Sequence, residues 1–463
     1  MKKTKIGLLP LYIELYDQSA PSLRKRLEAF YEEVAKEFEG RGFDVVRVPF
    51  CRLVPEFEAA VKKFEDEKSD VIVTLHMAYS PSLMSSDALA KTKLPIVVMD
   101  TTDTPTFGFD QDPVDVSYCH GIHGVMDMCN LLKRNGKPYA IAAGHYKESD
   151  VFERVAGYIK AAKAATSLNG TKVGTVGGSF EGMGDFLVSD EEMKNRFGVE
   201  VVYSNGPELA KIYESIDEKD VEKEIAKDNK FYTPINKIDP EVHKMSTRTC
   251  LAVRKWIKKE KLDAFTVNFL AVSPSDGIPT MPFMEACKEM ANGIGYAGEG
   301  DVLTAAITGA FIRGYKDATF AEIFCPDWRG GRLFISHMGE FNNDLVAKKP
   351  EMKQLRFIYG RNAKDPVVGY GCYKPGKAVY VNVCRDAEKY NLVIAPIEML
   401  DAPGEVYQGT VRGWFKPNVS TAEFLESLSR AGATHHSSII YGATEEEMIY
   451  FAELLGLNPI VIK

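Results

Sequence analysis

The sequence has no hydrophobic run that could cross a membrane, because nowhere do about 18 apolar residues follow one another. It also has no CxxC motif, although it contains eight cysteines among 463 residues. Scattered cysteines in a long chain are typical of reduced thiols, so we expect a cytoplasmic protein without a zinc ribbon. The short apolar run near the N-terminus fits a first strand rather than the core of a signal peptide. The sequence therefore predicts no membrane partner.

Positive charge and phosphate-binding motifs are scarce as well. There are 57 Lys and Arg against 65 Asp and Glu, and the net charge is −8. Nucleic-acid affinity depends on clustered Lys and Arg, and no basic patch stands out, so we expect no nucleic-acid partner. Gly174, Gly177 and Gly178 do not have the GxGxxG spacing, and GxxxxGK[ST] is absent from the sequence. These three glycines predict a turn after a strand rather than a phosphate loop.

Length and hydropathy indicate a globular protein of two or three domains. A chain of 463 residues exceeds one ordinary hydrophobic core, and its 45% hydrophobic and 26% charged residues are typical of globular proteins. Over residues 1–165, apolar runs alternate with amphipathic segments. The clearest segment places five apolar side chains three or four residues apart: Leu23, Leu27, Phe30, Val34 and Phe38. This alternation predicts a doubly wound parallel sheet covered by helices.

The rest of the chain predicts a second domain of this class and then a β-rich domain. Strand and helix patterns alternate again over residues 166–330, where residues 209–225 fit one helix. Short apolar segments separated by Gly, Pro, Asp or Asn follow, among them residues 354–359. Such spacing favours antiparallel pairing or a small barrel. The predicted fold is α/β: two doubly wound parallel-sheet domains, residues 1–165 and 166–330, followed by a β-rich, barrel-like C-terminal domain, residues 331–463.

Two glutamates, Glu322 and Glu340, lie in largely apolar runs. A carboxylate in apolar surroundings costs free energy unless it is paired or bound to a cation. The alternative is that both glutamates lie at strand ends in water, and burial arguments alone favour neither interpretation. The two residues are therefore candidate ligands or proton carriers.

Two adjacent histidines, His435 and His436, form a third feature. Neighbouring residues of one strand point to opposite faces, so at most one of these imidazoles should face a given site. Such a pair is more often incidental than ligating. Two carboxylates and an imidazole nonetheless suit a hard-to-borderline cation such as Mn²⁺. Such an ion could polarise the carbonyl of a sugar while the carboxylates move a proton between adjacent carbons.

A glycine-rich stretch, residues 295–301, contains two more acids, Glu299 and Asp301. An apolar segment that fits a helix begins at Val302, so Asp301 predicts an N-cap for it. The pattern alone gives neither acid a chemical role.

Several segments, in one order along residues 70–440, resemble segments of the L-arabinose isomerase and L-fucose isomerase family. The matches lie at residues 75–81 (LHTFSP in the family), 120–121 (AHGGREFG), 142–145 with 153–154 (VTGHW…ER), 295–301 (GYGFAGEGD), 319–322 (TSFMED), 337–340 (SHMLE) and 433–436 (GAHHT). Each match is weak by itself. Together, and in order, they indicate common descent.

The resemblance implies a metal-dependent aldose–ketose isomerase, an intramolecular oxidoreductase of carbohydrate metabolism. The implied substrate is a pentose, a 6-deoxyhexose or a related sugar, which reacts through an enediol. Carried over by position, Glu322 and Glu340 are implied to be metal ligands and the acid/base pair, and His436 a further metal ligand. The implied cofactor is Mn²⁺ or another divalent cation such as Mg²⁺ or Co²⁺.

The resemblance also implies a homo-oligomer, trimeric or hexameric, whose subunits share their active sites. His120 matches a histidine that reaches the active site of a neighbouring subunit, and Met77 and Tyr79 are implied to contact the substrate. The alternative for His120 is a core or helix-capping histidine, since surface histidines have no default role.

The sequence departs from the family in two places. Arabinose isomerases carry another histidine ligand shortly after the second glutamate, but residues 354–365 contain none, and its place falls near Phe357. The family's GSQHLYG segment is replaced by Leu9-Pro10-Leu11-Tyr12. Fucose isomerases use two carboxylates and one histidine, so the departures leave a metal site possible and the sugar open.

Two alternative functions stay open at this point. One is a sugar-binding or regulatory homologue without turnover, which the presence of both glutamates and His436 argues against. The other is an epimerase acting on a modified sugar, which fold alone does not exclude because function resides in the site.

Overall fold

The computed structural model describes residues 3–360, 362–387, 389–402 and 405–463, and of residue 405 only the backbone. The chain divides into two units, Met1–Thr166 and Ser167–Lys463. Among the described residues, no helix combines the length and the apolar character that a membrane span requires. The predicted domain boundaries at residues 165 and 330 stay predictions.

The first unit is a five-stranded parallel sheet with helices between its strands. Its strands are β1 (Lys5–Leu11), β2 (Asp44–Arg47), β3 (Val71–His76), β4 (Ile96–Asp100) and β5 (Tyr139–Ala143). Its helices are α1 (Glu14–Ser19), α2 (Leu23–Gly40), α3 (Val54–Asp66), α4 (Ser82–Lys91), α5 (Val116–Cys119), α6 (Ile122–Arg134) and α7 (Val151–Thr166). The sheet order is β2-β1-β3-β4-β5, which confirms the predicted doubly wound class.

The apolar pattern of the sequence explains which residues of this unit are buried. Every residue of β3 is buried, as expected for a strand covered by helices on both faces. All five residues of the predicted apolar stripe on α2 are buried. The direction in which successive strands are added to the sheet reverses between β1 and β3, so the carboxyl ends of these parallel strands flank a crevice of the kind that holds ligands in doubly wound sheets.

The second unit contains a parallel sheet, a three-stranded sheet and a barrel. Its strands are β6 (Lys172–Val176), β7 (Glu200–Tyr203), β8 (Thr233–Pro234), β9 (Ala264–Val267), β10 (Gly295–Gly298), β11 (Ala318–Asp327), β12 (Arg332–Ser336), β13 (Glu351–Gln354), β14 (Val367–Tyr370), β15 (Gly376–Arg385), β16 (Tyr390–Met399), β17 (Gly413–Pro417), β18 (His436–Tyr441) and β19 (Asn458–Val461). Its helices are α8 (Asp190–Phe197), α9 (Gly206–Glu214), α10 (Glu218–Phe231), α11 (Pro240–Glu260), α12 (Phe283–Ala291), α13 (Val302–Tyr315), α14 (Thr421–Arg430) and α15 (Glu445–Leu454).

The parallel sheet has the order β10-β9-β6-β7, and α13 packs against β10. Gly177 and Gly178 follow β6 with positive φ angles, which confirms the predicted turn. The prediction of one helix over residues 209–225 is wrong, because α9 ends at Glu214 and α10 begins at Glu218. Asp217 separates them: its side chain accepts a hydrogen bond from the Lys219 amide and caps α10.

The C-terminal strands close into a six-stranded antiparallel barrel, as the β-rich prediction anticipated. The ring runs β15-β18-β11-β12-β17-β16 and closes by pairing β16 with β15, while β19 adds to β16 in parallel. The predicted strand over residues 354–359 is wrong, since β13 ends at Gln354. Leu355 still donates to the Pro366 carbonyl, but Pro366 has no N–H to return the bond, so the pairing with β14 stops there.

Candidate active site

Three neighbouring barrel strands bring together an acid and two histidines. Glu322 in β11 lies directly opposite His436, the first residue of β18. On its other side Glu322 pairs with Ser336, the last residue of β12, and His337 follows immediately. Directly opposed residues of antiparallel strands project to the same face, so the register alone places Glu322 and His436 side by side.

The side chains of Glu322, His337 and His436 form a group that could hold a metal ion. Each offers one ligand atom, and these atoms lie within 4.8 Å of one another. Within the group, His337 Nε2 is 3.5 Å from Glu322 Oε2. Glu299, His435 and His436 form a second such group within the same limit. Because both groups use His436, they make one continuous cluster of carboxylates and imidazoles.

His436 is oriented by a buried carboxylate. Its Nδ1 donates to Asp301 Oδ2 at 3.0 Å, since an ionised carboxylate only accepts. The other oxygen, Asp301 Oδ1, accepts from the Thr304 amide at 2.8 Å and caps α13, which confirms the predicted N-cap. Among the described residues, His436 Nε2 is buried and makes no hydrogen bond, and it lies 3.4 Å from Glu299 Oε2. A histidine with a carboxylate on one nitrogen and a free second nitrogen is arranged as metal-ligating histidines are.

Glu340 lies behind His337 rather than beside Glu322. The side chain is 1% exposed, so the alternative of a glutamate in water does not hold for it. His337 Nδ1 donates to Glu340 Oε2 at 2.6 Å, and the Tyr296 hydroxyl donates to Glu340 Oε1 at 3.0 Å. The structure therefore brings Glu322 and His436 together and connects Glu340 to them through an imidazole.

The prediction that only one of the adjacent histidines faces a site is wrong. The alternation rule applies within a strand, but β18 begins at His436 and His435 precedes it. His435 Nδ1 donates to Asp185 Oδ2 at 2.6 Å, and its Nε2 is 3.3 Å from Glu299 Oε2. Glu299 has a φ angle of 63°, a left-handed conformation that non-glycine residues adopt at a cost in free energy and that is frequent at functional sites. Both imidazoles therefore border the same cluster.

Aromatic rings enclose the imidazoles. The Phe186 ring stacks on His436 with centroids 5.1 Å apart. The Phe320 ring packs edge-on against His337 at 4.9 Å and against His436 at 5.0 Å. These rings are apolar walls that limit water around the nitrogens and strengthen electrostatic interactions within the cluster.

The cluster shifts the pKa values of its members in opposite directions. Burial raises the pKa of Glu322, although the nearby histidines oppose this shift. Burial would raise the pKa of Glu299 too, but the neighbouring imidazoles of His435 and His436 prevail and lower it to about 2. Burial lowers the pKa of His436, yet Asp301 and Glu299 more than offset this and raise it to about 10. Strongly perturbed groups concentrated in one place are typical of functional sites.

The predicted substrate-binding residues lie in the first unit. Met77 and Tyr79 follow the carboxyl end of β3, beside the point where the strand order of the sheet reverses. Tyr79 is partly exposed, whereas the Met77 side chain is buried. His120 Nδ1 donates to the Val116 carbonyl at 2.7 Å, and the Tyr16 hydroxyl lies 2.9 Å from its Nε2. His120 thus ends α5, as the capping alternative expected, and its role toward a neighbouring subunit stays a prediction.

Aromatic packing occupies the place where the family's additional histidine was expected. Phe357 is buried, with ring centroids 6.0 Å from Phe283 and 5.8 Å from Tyr359. The rings of Phe357 and Phe283 carry no ligand atom for a divalent cation.

Sequence reasoning missed His337, Tyr296 and Asp185 as members of the site. His337 stands three residues before Glu340 in a matched segment, and this spacing was the available signal. Tyr296 also lies in a matched segment, but a tyrosine there reads equally well as core. No signal marked Asp185, because its loop meets His435 only in the folded chain, across 250 residues.

Doubly wound parallel sheets, together with an antiparallel barrel that carries an imidazole–carboxylate cluster, define an α/β protein equipped to hold a divalent cation. Comparison with known families identifies two domains in the second unit. Residues 188–313 match the L-arabinose isomerase central domain, and residues 317–458 match the L-arabinose isomerase C-terminal domain. The chain belongs to the L-arabinose isomerase family, and thus to the aldose–ketose isomerases, which are intramolecular oxidoreductases.

Curated relatives extend this similarity along the chain. The L-arabinose isomerase of Aeromonas salmonicida (strain A449) is 23% identical over 100% of this chain and 95% of its own length. The L-arabinose isomerase of Shouchella clausii (strain KSM-K16) is 23% identical over 98% of this chain and 93% of its own length. L-arabinose isomerase 1 of Bacillus licheniformis is 24% identical over 90% of this chain and 86% of its own length.

Proposed function

We propose that the protein is a divalent-metal-dependent isomerase that interconverts an aldose and its ketose through an enediol. The names of its relatives make L-arabinose the first sugar to test, followed by other pentoses and 6-deoxyhexoses. Mn²⁺ is the proposed cofactor, with Mg²⁺ and Co²⁺ as further candidates, because carboxylate and imidazole ligands accept all three.

One observation carries the metal part of this proposal. His436 has a buried Nε2 without a hydrogen-bond partner, and Asp301 holds its other nitrogen. A buried polar atom without a hydrogen bond is unfavourable by about 1–3 kcal/mol. His436 Nε2 has none and is bordered by the carboxylates of Glu299 and Glu322, which favours a cation at this point. The donor set of the cluster, carboxylate oxygens and imidazole nitrogens, fits a hard-to-borderline divalent cation. When bound, the cation would polarise the sugar carbonyl.

Glu322 and Glu340 are the proposed acid/base pair and belong, with His436, to the proposed metal centre. Glu322 is partly buried and its pKa is raised by burial, so its carboxyl group can exchange a proton closer to neutral pH than an exposed glutamate. The Glu340 side chain is buried from solvent, and a 2.6 Å hydrogen bond from His337 Nδ1 connects it to the cluster. We assign proton transfer at the sugar to Glu322 and Glu340, whose carboxylates lie on either side of the His337 ring.

The rest of the proposed site comes from another copy of the chain. We assign His120, Met77 and Tyr79 to substrate binding in a homo-oligomer, trimeric or hexameric, in which the first unit of one subunit meets the barrel of the next. The position of these residues at the carboxyl edge of a doubly wound sheet supports the assignment, since such edges bind ligands. Met77 is buried within its unit, so Tyr79 and His120 are the side chains open to contact.

The test removes metal from the protein with a chelator and then incubates the metal-free protein with a panel of aldoses, with and without added Mn²⁺. Products are identified by ¹³C NMR, which distinguishes a ketose from an epimeric aldose. Ketose formation that requires the ion supports the proposal. An epimeric aldose would indicate an epimerase, and sugar binding in calorimetry without any product would indicate a binding protein.

A further inference from the structure

The segment 434–436, which carries the adjacent histidines of the cluster, is held by a side chain where the sheet pairing ends. β18 pairs with β11 from its first residue, His436, but on its other side the pairing with β15 stops at Ser438 and Val381. Asn382 is the next residue of β15, and it is 1% exposed. The segment therefore leaves the regular sheet beside a buried amide side chain.

The Asn382 amide makes the hydrogen bonds that a continuing strand would otherwise make. Its Nδ2 donates to the carbonyl oxygens of Thr434 at 2.8 Å and of His436 at 2.7 Å. Its Oδ1 accepts from the Thr434 amide at 3.1 Å. This pattern fixes the orientation of the Asn382 side chain, because an oxygen in place of Nδ2 would face two carbonyl oxygens and have no donor between them.

Two hydroxyl groups extend this network. Thr434 Oγ1 donates to the His436 carbonyl at 2.9 Å. Ser437 Oγ accepts from Asn382 Nδ2 at 3.1 Å and donates to the Tyr380 hydroxyl. The four side chains of Thr434, Ser437, Tyr380 and Asn382 are all buried. Buried polar networks of this kind make the backbone that they hold rigid.

The conformation of the segment decides where both imidazoles point. Within a regular strand, neighbouring side chains would face opposite sides of the sheet. Here His435 Nδ1 donates to Asp185 and His436 Nδ1 donates to Asp301, and both rings border the cluster. Asn382 binds the backbone on both sides of His435, so it restrains the segment from which the two rings project.

We infer that Asn382 is a positioning residue: by holding residues 434–436 outside the regular strand, it aims both imidazoles at the cluster. This inference rests on the proposed metal-dependent function and adds to it a residue that acts through the backbone of its neighbours. In the competing interpretation, Asn382 only fastens β15 to β18. Loss of the amide would then lower the free energy of unfolding and leave the histidine rings and the affinity for metal unchanged.

The test compares Asn382→Ala with Asn391→Ala in the full-length protein. Asn391 is the matched control, because it is a buried asparagine of the same barrel whose Oδ1 accepts from Asn458 at 2.9 Å. In ¹⁵N NMR of histidine-labelled, metal-free protein, we expect the signals of His435 and His436 to shift in Asn382→Ala and to stay in place in Asn391→Ala. His435→Gln and His436→Gln assign these two signals.

Affinity for the cation gives a second measurement. Calorimetric affinity for Mn²⁺ should fall about 10–100-fold in Asn382→Ala, as it does when residues that orient metal ligands are replaced, and should be unchanged in Asn391→Ala. A third measurement uses the unmodified protein and does not depend on the folding of a variant. Because the Thr434 amide donates to Asn382 Oδ1, its hydrogen exchange should be slow in mass spectrometry, although it lies outside β18.

The outcomes separate this inference from the proposed function. Fast exchange of the Thr434 amide, unchanged histidine signals in Asn382→Ala, or signals that shift without loss of Mn²⁺ affinity would overturn the role of Asn382 and leave the metal-dependent isomerase standing. An unmodified protein that binds no Mn²⁺ would overturn the proposed function. The NMR and exchange measurements are made without metal, so they would still decide whether Asn382 positions the two rings.

Discussion

At the scale of single residues, Glu322 has two roles in the account: it binds the cation and it carries a proton. Glu322→Gln keeps nearly the same volume but removes both the charge and the proton acceptor. General acid–base transfer is typically worth about 10²–10⁴ in rate, so we expect kcat to fall at least that far while circular dichroism is unchanged. Excess Mn²⁺ should not restore the rate.

The matched control for this substitution is Glu398→Gln, an exposed glutamate on β16 of the same barrel. It should retain normal turnover. Glu340→Gln should also lose activity, because Glu340 is the other member of the proposed acid/base pair. Near-normal kcat in Glu322→Gln would remove Glu322 from the mechanism and make Glu299 the next candidate.

A second prediction at this scale concerns a buried acid outside the site. Burial, followed by the neighbouring carboxylate of Glu285, raises the pKa of Glu289 to about 8. The folded protein therefore keeps a proton that the unfolded chain releases near pH 4.5. The contribution of protonated Glu289 to the free energy of unfolding is complete below that pH and is lost as the pH rises through about 8. Glu289→Gln imitates the protonated acid, so urea unfolding should give a more stable variant at pH 9 and no difference at pH 4.

The control for this measurement is Glu222→Gln, an exposed glutamate on α10. It should leave the free energy of unfolding nearly unchanged at both pH values. A gain in Glu289→Gln of equal size at pH 4 and pH 9 would contradict the titration that we assign to Glu289.

At the scale of elements, the end of β10 approaches the end of β12 so closely that only glycine fits. A Cβ on Gly298 would lie 2.8 Å from His337 Cε1 and 3.1 Å from Nε2. Gly298→Ala must therefore displace the imidazole, and we expect Mn²⁺ affinity in calorimetry to fall about 10–100-fold. Gly40→Ala is the control, because an added Cβ there meets nothing within 4 Å. Equal affinities in the two variants would contradict the close fit.

The helices and strands also show which parts of the structure the sequence predicts. Periodicity identified α2 and the doubly wound sheet, because a buried stripe or strand leaves a regular pattern. The apolar periodicity predicted one helix in place of α9 and α10, because the apolar spacing continues across both helices. The cap at Asp217 is what separates them. The ordered resemblance identified Glu322 and His436, but the place of His337 depends on the register of β11 and β12, which no local pattern determines.

At the scale of the whole molecule, we propose that one complete site requires two subunits. If His120 acts on the barrel of a neighbouring subunit, then His120→Ala and Glu322→Gln damage different halves of a site. Mixed oligomers of the two inactive variants should therefore contain some intact sites and recover part of the activity. Glu322→Gln mixed with Glu340→Gln is the control, because both changes lie in one unit and no intact site can form. Complementation that is absent from mixed oligomers, or a fully active monomer, would contradict shared sites.

Metal-dependent isomerisation is tested most directly by measuring ketose formation from L-arabinose while Mn²⁺ is titrated into the metal-free protein. We expect no ketose without the ion and a rate that saturates near one Mn²⁺ per chain. If L-arabinose is not the substrate, the same titration applies to the aldose that turns over in the panel. Turnover that persists in protein stripped of metal, or a protein that binds one Mn²⁺ per chain and converts no aldose to its ketose, would contradict it.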